Sequence, residues 1–528
     1  MTNAGPKKPR VLLIGLDSGD ADLIEAWMDG GCMPTFAKLR QEGLWARIGT
    51  TAEVMHVSAW PTLYTGTTPG QHGLYHAYQV YAGEQLIRRP DPSRAGEPPF
   101  WKYLDDAGRR CIILDAFMDY RLPGFNGMQI LEYGTWTWFG APGSTPPGLL
   151  NQIKRRFGPY PAPEHTEQVQ VPDEPLRFRD QLIAGTQVKS RVAQALLREN
   201  DWDLMFVTFG EPHGAGHYLW HFDDPDYPLQ PQRAAQRGAH ILRDVYSAVD
   251  EAIGGILEAV DDKTTVIVTS GDGMGPNYAG AQLMPEMLHR MGLFYSASVG
   301  GAGSSDTSGS APKANKKGAL SLLREAIPLG WRQSVSRCMP RSMRSKISLK
   351  WMNAGIDWQK SKIFCVPNSN EGYFRVNLVG REPLGIVQRG AEYDDLLAAL
   401  LVELENLTNP KNGLRAAERV CRTDELFRGP RREDLPDALI TWNLEARLGN
   451  EIATPGLGVV RKQASYDVSP FYTGNHRPNA FVLARGPSVG AGALLESGHI
   501  VDIAPTILSM LNVEPPPHFE GKAWPGFV

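Results

Sequence analysis

The sequence predicts an α/β fold built on a large, mostly parallel central sheet with helices on both faces. Four short apolar runs, 11–16 (VLLIGL), 111–114 (CIIL), 204–209 (LMFVTF) and 264–269 (TTVIVT), are continuous rather than alternating, the composition of strands buried on both faces. Segments of helical spacing, 181–199 and 242–260 among them, separate the runs. Each run also opens into residues with chemistry to offer: Asp17, Asp115, the stretch Gly210 to His213, and Ser270-Gly271-Asp272. Ligands of open parallel sheets bind in the crevice at those carboxyl ends.

In chain order, the first strand ends at Asp17, which can ligate a metal or cap the helix expected over 21–29. Residues 33–43 read as a helix closed by Gly43, and 44–49 as a strand. The stretch 55–77, MHVSAWPTLYTGTTPGQHGLYHA, combines metal-capable, polar and turn-forming residues. Ser58, Pro61 and Thr62 favour a helix start there, and Thr65-Gly66 and Pro69-Gly70 stop it after about two turns. Free N–H groups at such a start would cradle a transferred phosphate or sulfate. A helix over 99–107 leads to the strand 111–114. The segment 125–134 is polar and glycine-punctuated, and Trp136, Trp138 and Phe139 in the loop 136–147 read as core or lid packing.

After the strand 204–209 comes Gly210-Glu-Pro-His-Gly-Ala-Gly-His-Tyr-Leu-Trp-His. Its histidines, His213, His217 and His221, recur every fourth residue, so a helix stacks them on one face and His213 and His217 can grip one cation. His221 is expected to be the outlier, exposed or supporting. Asp272 follows the strand 264–269 among glycines, either as a hard oxygen ligand or as a plain Asp-Gly turn. Farther on, 374–378 reads as a strand leading to a turn with Arg381 and Glu382, 393–407 as a helix, 438–442 as a strand, and 502–511 as a helix. His476 and Arg477 are placed in a loop before a strand at 480–484.

At 528 residues, with a net charge of -4 and a pI near 6.3, the chain has no electrostatic footprint for nucleic acid or an anionic membrane. A small partner is expected, and the oligomeric state is left open. Five widely spaced cysteines, Cys32, Cys111, Cys338, Cys365 and Cys421, fit buried thiols better than disulfides or a thiolate metal site. The apolar run after the basic start is short for a secretory signal, and no run of about 18 apolar residues occurs. A cytoplasmic protein is expected. Composition turns to Gly, Ser and Ala and then to Lys and Arg over 296–350, which divides the chain into a catalytic domain's N-terminal part (8–295), a flexible and basic insertion (296–350) and the domain's C-terminal part (351–528).

Five segments in order, IGLDSGD, TGTTPGQHG, HGAGH, SGDGMG and GNH, resemble the alkaline phosphatase superfamily, in particular its type I phosphodiesterase/nucleotide pyrophosphatase branch. The resemblance implies a three-layer α/β/α sandwich of alkaline-phosphatase type. It also implies two divalent ions, commonly zinc, flanking a Thr, Ser or modified Cys nucleophile. Asp17, His217 and His476 match family ligands, and His72 matches a structural histidine. Three positions depart: His56 stands at the nucleophile's place, His213 replaces an Asp ligand, and Gly271-Asp272 replaces Asp-His. Two of the three replacements retain a metal-binding side chain, and His56 is itself nucleophilic or metal-binding, which favours a re-tuned site over a dead one.

The expected function is a metal-dependent hydrolase or transferase for a phosphate ester, a phosphodiester or a related anionic ester. His213, His217 and His476 would hold one ion, most readily zinc. Asp17 and Asp272 would hold a second ion or support the first. His56 would be nucleophile, ligand or base, with Ser58 and Thr62 as substitute hydroxyls, and Arg381 and Arg477 would grip the substrate anion unless they serve only in salt bridges. The competing expectation is a non-catalytic relative acting as a binding or scaffold protein.

Overall fold

Side chains of a strand alternate between faces, and those of 11–16 divide accordingly. Leu12, Ile14 and Leu16 join one apolar cluster, Val11 and Leu13 another. Residues 204–209 repeat the division, with Met205, Val207 and Phe209 on the first side and Leu204 and Phe206 on the second. Helices Ala21–Asp29, Pro34–Glu42, Pro175–Glu199, Glu211–Asp223 and Ile241–Leu257 cover the first face. Helices Ala59–Thr65, Phe100–Asp106 and Ile503–Met510 cover the second. The result is the three-layer α/β/α sandwich.

This computed structural model describes residues 9–91, 94–118, 121–134, 142–162, 175–224, 226–227, 240–297, 346–347, 349–350, 352–353, 355–462, 472–487 and 489–527. Its strands, numbered along the chain, are β1 (Arg10–Leu16), β2 (Leu44–Arg47), β3 (Cys111–Leu114), β4 (Met128–Leu131), β5 (Gly143–Thr145), β6 (Leu204–Phe209), β7 (Thr264–Ser270), β8 (Gly273–Pro276), β9 (Ile363–Val366), β10 (Gly372–Val376), β11 (Ala417–Arg422), β12 (Ala438–Trp442), β13 (Glu451–Thr454), β14 (Gly458–Arg461), β15 (Gly474–Arg477) and β16 (Phe481–Arg485).

The main sheet has eight strands in the order β2-β16-β7-β1-β6-β3-β4-β5. Its centre, β7-β1-β6-β3-β4, is parallel, while β16 runs antiparallel to β7 and β5 antiparallel to β4. The C-terminal part of the chain therefore completes the sheet begun by the N-terminal part. A second, antiparallel sheet, β11-β12-β10-β9, packs with helix Ala391–Glu405 around its own core, which includes Phe364, Tyr373, Phe374, Leu397 and Ile440.

Two expectations need correction: the segment 125–134 contains β4, and His476 and Arg477 lie on β15 rather than in a loop. The strands expected at 374–378 and 438–442 are β10 and β12, and their partners β9 and β11 in the second sheet were not expected. Trp136, Trp138 and Phe139, the 298–345 part of the insertion with its Lys316, Lys317, Arg324, Arg332, Arg337, Arg341 and Arg344, and Cys338 lie outside the described residues. Cys32, Cys111, Cys365 and Cys421 are free thiols. Among the described residues no helix is long and apolar enough to cross a membrane.

Candidate active site

Strands β7, β1 and β6 are neighbours in the sheet, so their carboxyl ends set Asp272, Asp17 and the Glu211–Asp223 helix side by side. That helix begins directly after β6. Buried contacts anchor its first residue: Tyr160 Oη donates to Glu211 Oε1 at 2.6 Å, and Lys189 Nζ lies 3.7 Å from the same oxygen. With the helix start held, His213 and His217 project from successive turns into the crevice. Right after Asp272 the chain forms β8, which pairs with β15 so that His476 lies opposite Met274. This ribbon is what brings His476 to Asp272. His56 enters from the turn before helix Ala59–Thr65, and Glu371 arrives from the β9–β10 turn of the second sheet.

The imidazoles share one wiring. His213 Nδ1 lies 2.9 Å from Asp17 Oδ2, His217 Nδ1 2.9 Å from the Gly474 carbonyl oxygen, and His476 Nδ1 2.7 Å from Asp272 Oδ2. His56 Nδ1 lies 2.8 Å from Glu371 Oε2. A carbonyl or an ionised carboxylate can only accept, so with the carboxylates ionised Nδ1 donates in the neutral rings and the lone pair lies on Nε2, which on His217 meets the Tyr472 hydroxyl at 2.9 Å. This is the arrangement in which a second partner fixes the tautomer of a metal-binding histidine. Trp60 Nε1 donates to Asp17 Oδ1 at 2.8 Å, steadying the carboxylate that steadies His213. Ligand atoms of His213, His217 and His476 all lie within 4.8 Å of one another, and the His56 ring stacks on that of His476 with centroids 4.1 Å apart.

Electrostatics follow from burial. Desolvation, with Asp17 adding to it, pushes the Asp272 carboxyl well above its ordinary range. Desolvation and the neighbouring imidazoles push His476 well below the ordinary histidine range. A cation near the imidazoles would favour the ionised carboxylate and a bare His476 Nε2. Burial alone would raise Glu371, yet the hydrogen bonds from His56 and the charge that ring carries once it has taken up a proton overcome it and hold the carboxyl at about 2. The cavity these residues line measures about 40 Å³, room for roughly three water molecules.

The structure thus gathers Asp17, His56, His213, His217, Asp272 and His476 around one cavity. Asp17 and Asp272 each engage an imidazole Nδ1, so they orient histidines. Ser58 is fully buried and its hydroxyl donates to the Met55 carbonyl at 2.6 Å, turned into its own turn and away from the cavity lining. Thr62 Oγ1 accepts from His72 Nε2 at 3.1 Å, while His72 Nδ1 accepts the Leu74 N–H, so His72 is a structural histidine. His221, expected to be exposed or supporting, is 1% exposed and meets Thr473 Oγ1 at 2.9 Å.

Three further expectations are corrected. Arg381 is buried in the second sheet, where it pairs with both oxygens of Asp437 at 2.7 Å and with Glu382 at 2.9 Å. Arg477 grips both oxygens of Asp20, at 2.6 and 2.7 Å. Neither lines the cavity, because each guanidinium is already matched to a carboxylate that the sequence did not reveal. Nor is the helix start an open anion cradle, since the His56 N–H donates to Glu371 Oε1 at 3.0 Å.

Sequence reasoning missed Glu371, His76, Trp60 and Tyr472. His76 was legible as another imidazole within 55–77. Glu371 was not, because an acid in an Asn-rich turn looks ordinary until the second sheet carries it to His56. Tyr472, whose hydroxyl lies 2.9 Å from His217 Nε2 and whose ring stacks on that histidine, precedes β15 without a motif.

A family model described as type I phosphodiesterase/nucleotide pyrophosphatase matches residues 11–319. No curated protein matches the chain. Among solved structures, phosphonoacetate hydrolase from Sinorhizobium meliloti 1021 in complex with phosphonoformate aligns over 96% of this chain and 95% of that one, with 11% identity and a TM-score of 0.52. Human ectonucleotide pyrophosphatase/phosphodiesterase 5 aligns over 97% of both chains, with 13% identity and a TM-score of 0.44. The first of these likenesses extends to the fold.

Proposed function

The chain belongs to the type I phosphodiesterase/nucleotide pyrophosphatase family, a family of phosphohydrolases, and from that premise we propose a metal-dependent hydrolase for phosphate esters, phosphodiesters or related anionic esters. In this reading His213, His217 and His476 hold one divalent ion, and the His56–Glu371 pair supplies the base. The observation that carries it is the wiring of the imidazoles: each Nδ1 is tied to an acceptor, and the ligand atoms of three rings cluster within 4.8 Å. Such a donor set suits zinc or another borderline metal better than magnesium or calcium. When bound, the ion supplies positive charge that polarises a phosphoryl oxygen.

The residues of this chain do the rest. Asp17, the Gly474 carbonyl and Asp272 hold three rings in the tautomer that puts the lone pair on Nε2. Glu371 does the same for His56, whose Nε2 then accepts the proton of the attacking oxygen, the division of labour between a base and its orienting carboxylate. Val57, Phe117 and Tyr218 in the lining exclude water and strengthen every charge interaction inside. The small volume favours entry of the charged end of an ester, with the remainder of the substrate outside.

Elemental analysis of the purified protein, with phosphate mono- and diesters assayed before and after chelation, tests the proposal. Metal near one ion per chain and chelator-sensitive turnover are expected. Negligible metal together with no turnover would favour the scaffold reading instead.

A further inference from the structure

His72 and His76 are built alike and differ in one respect. Each ring accepts, at Nδ1, the backbone N–H two residues ahead: Leu74 at 3.0 Å for His72, Tyr78 at 3.2 Å for His76. An Nδ1 that accepts carries no proton, so in both neutral rings Nε2 is N–H, a donor. His72 gives that donor to Thr62 Oγ1 at 3.1 Å. His76 gives its donor to nothing: Nε2 is buried without a hydrogen-bond partner, in a residue 1% exposed.

Orphaned buried donors are rare in folded proteins, and leaving one unmatched is costly. This one belongs to a ring that lines the active-site cavity and stands edge-on to His56, with centroids 5.9 Å apart. The ring is also held in one charge state, because burial keeps its pKa down at about 3. Its tautomer is the opposite of that of the four wired imidazoles, whose Nδ1 atoms donate. Their Nε2 atoms carry lone pairs, while His76 carries a proton at Nε2, so His76 complements an anion and not a cation.

We propose that His76 is a substrate-binding residue whose Nε2–H donates to an anionic oxygen on the phosphorus of the bound ester, on the side of the cavity next to His56. The inference rests on the phosphohydrolase reading and specifies how that site recognises its ligand. The donor is neutral, so it recognises oxygen without adding charge, and it remains available at every pH at which the fold is intact.

Two substitutions separate this role from a structural one. His76→Asn keeps an acceptor for the Tyr78 N–H but removes the donor at the Nε2 position. His76→Gln reaches farther and places an amide N–H near the lost donor. The readouts are inhibition by inorganic phosphate, kcat/KM with p-nitrophenyl phosphate and its bis ester, metal content and Tm. The Asn variant is expected to weaken phosphate inhibition and kcat/KM by about 10- to 100-fold, the worth of one hydrogen bond to a charged group, at unchanged metal content and Tm, and the Gln variant to recover most of the loss. An Asn variant equal to the unmutated protein in phosphate inhibition overturns the role of His76 and leaves the phosphohydrolase reading standing. A parallel fall in Tm or metal content also overturns it, in favour of a structural histidine. An unmutated protein that neither turns over these esters nor binds phosphate removes the underlying reading and this inference together.

Discussion

The Nε2 atoms of His213 and His217 lie 2.7 Å apart, although both rings direct Nδ1 at an acceptor, Asp17 for one and the Gly474 carbonyl for the other. In two neutral rings so held, two lone pairs would face each other, although the Tyr472 hydroxyl, 2.9 Å from His217 Nε2, can donate to one of them. A proton or a cation between them relieves that repulsion. Of the two, a divalent ion also uses the free nitrogen of His476 nearby.

The first prediction follows. Protein purified from cells grown with zinc should hold transition metal near one ion per chain, and His217→Ala should release it. Asp17→Asn should keep the fold but weaken metal binding by about 10- to 100-fold, the usual effect of removing a partner that orients a ligand. Plasma emission spectrometry and chelator competition measure both. Full occupancy in the His217 variant would rule out the three-histidine assignment.

How much of this was legible in the sequence depended on whether a signal was local. Residues 11–16 and 204–209 are apolar throughout, so β1 and β6 could be read directly, and the fourfold spacing of His213 and His217 needed only a helix to have meaning. The pairs that assign roles are remote: 315 positions separate His56 from Glu371 and 204 separate Asp272 from His476. Arg381 shows the same limit from the other side. It read as an anion grip because its partner Asp437 lies 56 residues away, and a matched arginine looks the same in sequence as a free one. Of the sheet carrying Glu371, the strands at 374–378 and 438–442 could be read, but β9 is four residues long and β11 reads Ala-Glu-Arg-Val-Cys-Arg, too charged to resemble a buried strand, so their assembly into one sheet escaped.

The second prediction concerns Arg381. The residue is 3% exposed, and its guanidinium pairs with Asp437 and Glu382 beside the second sheet. Arg381→Met should therefore cost about 3–5 kcal/mol, the typical penalty for stranding a buried carboxylate. KM of the folded fraction should hardly change. Urea denaturation and steady-state kinetics separate the outcomes, and an unchanged midpoint with a raised KM would restore Arg381 as a substrate contact.

Acid sensitivity gives the third. Burial would raise Glu371 and Asp437, but His56 in one case and Arg381 in the other hold each carboxyl at about 2, below the ordinary range near 4. A carboxyl depressed by folding stabilises the native state above its unfolded pKa, and that contribution is lost as pH falls toward the folded value. Stability should thus be full at pH 7 and decline from about pH 4.5 down to 2. Glu371→Gln should flatten that decline in denaturation curves, and parallel pH profiles for the variant and the unmutated protein would contradict it.

The last prediction tests the base. His56 has its Nδ1 on Glu371 and its ring stacked on His476, yet it is outside the set of three rings whose ligand atoms cluster. A ligand and a base should respond differently to substitution. If His56 is the base, His56→Gln should lower kcat by about 10²- to 10⁴-fold, the usual contribution of a positioned proton acceptor, with metal content nearly unchanged. Glu371→Gln should give a smaller loss of the same kind, because a neutral amide can still meet Nδ1 but no longer stabilises the charged ring. If His56 is a ligand, metal content should fall with the rate. A nucleophilic His56 would leave a phospho-enzyme that is acid-labile and base-stable, as a phosphoramidate is, and rapid quenching into base would reveal it. The attachment of both the His56 N–H and Nδ1 to one carboxylate favours the base: it fixes the ring at two points, as proton transfer requires, whereas a ring that formed a bond to phosphorus would have to follow the moving atom.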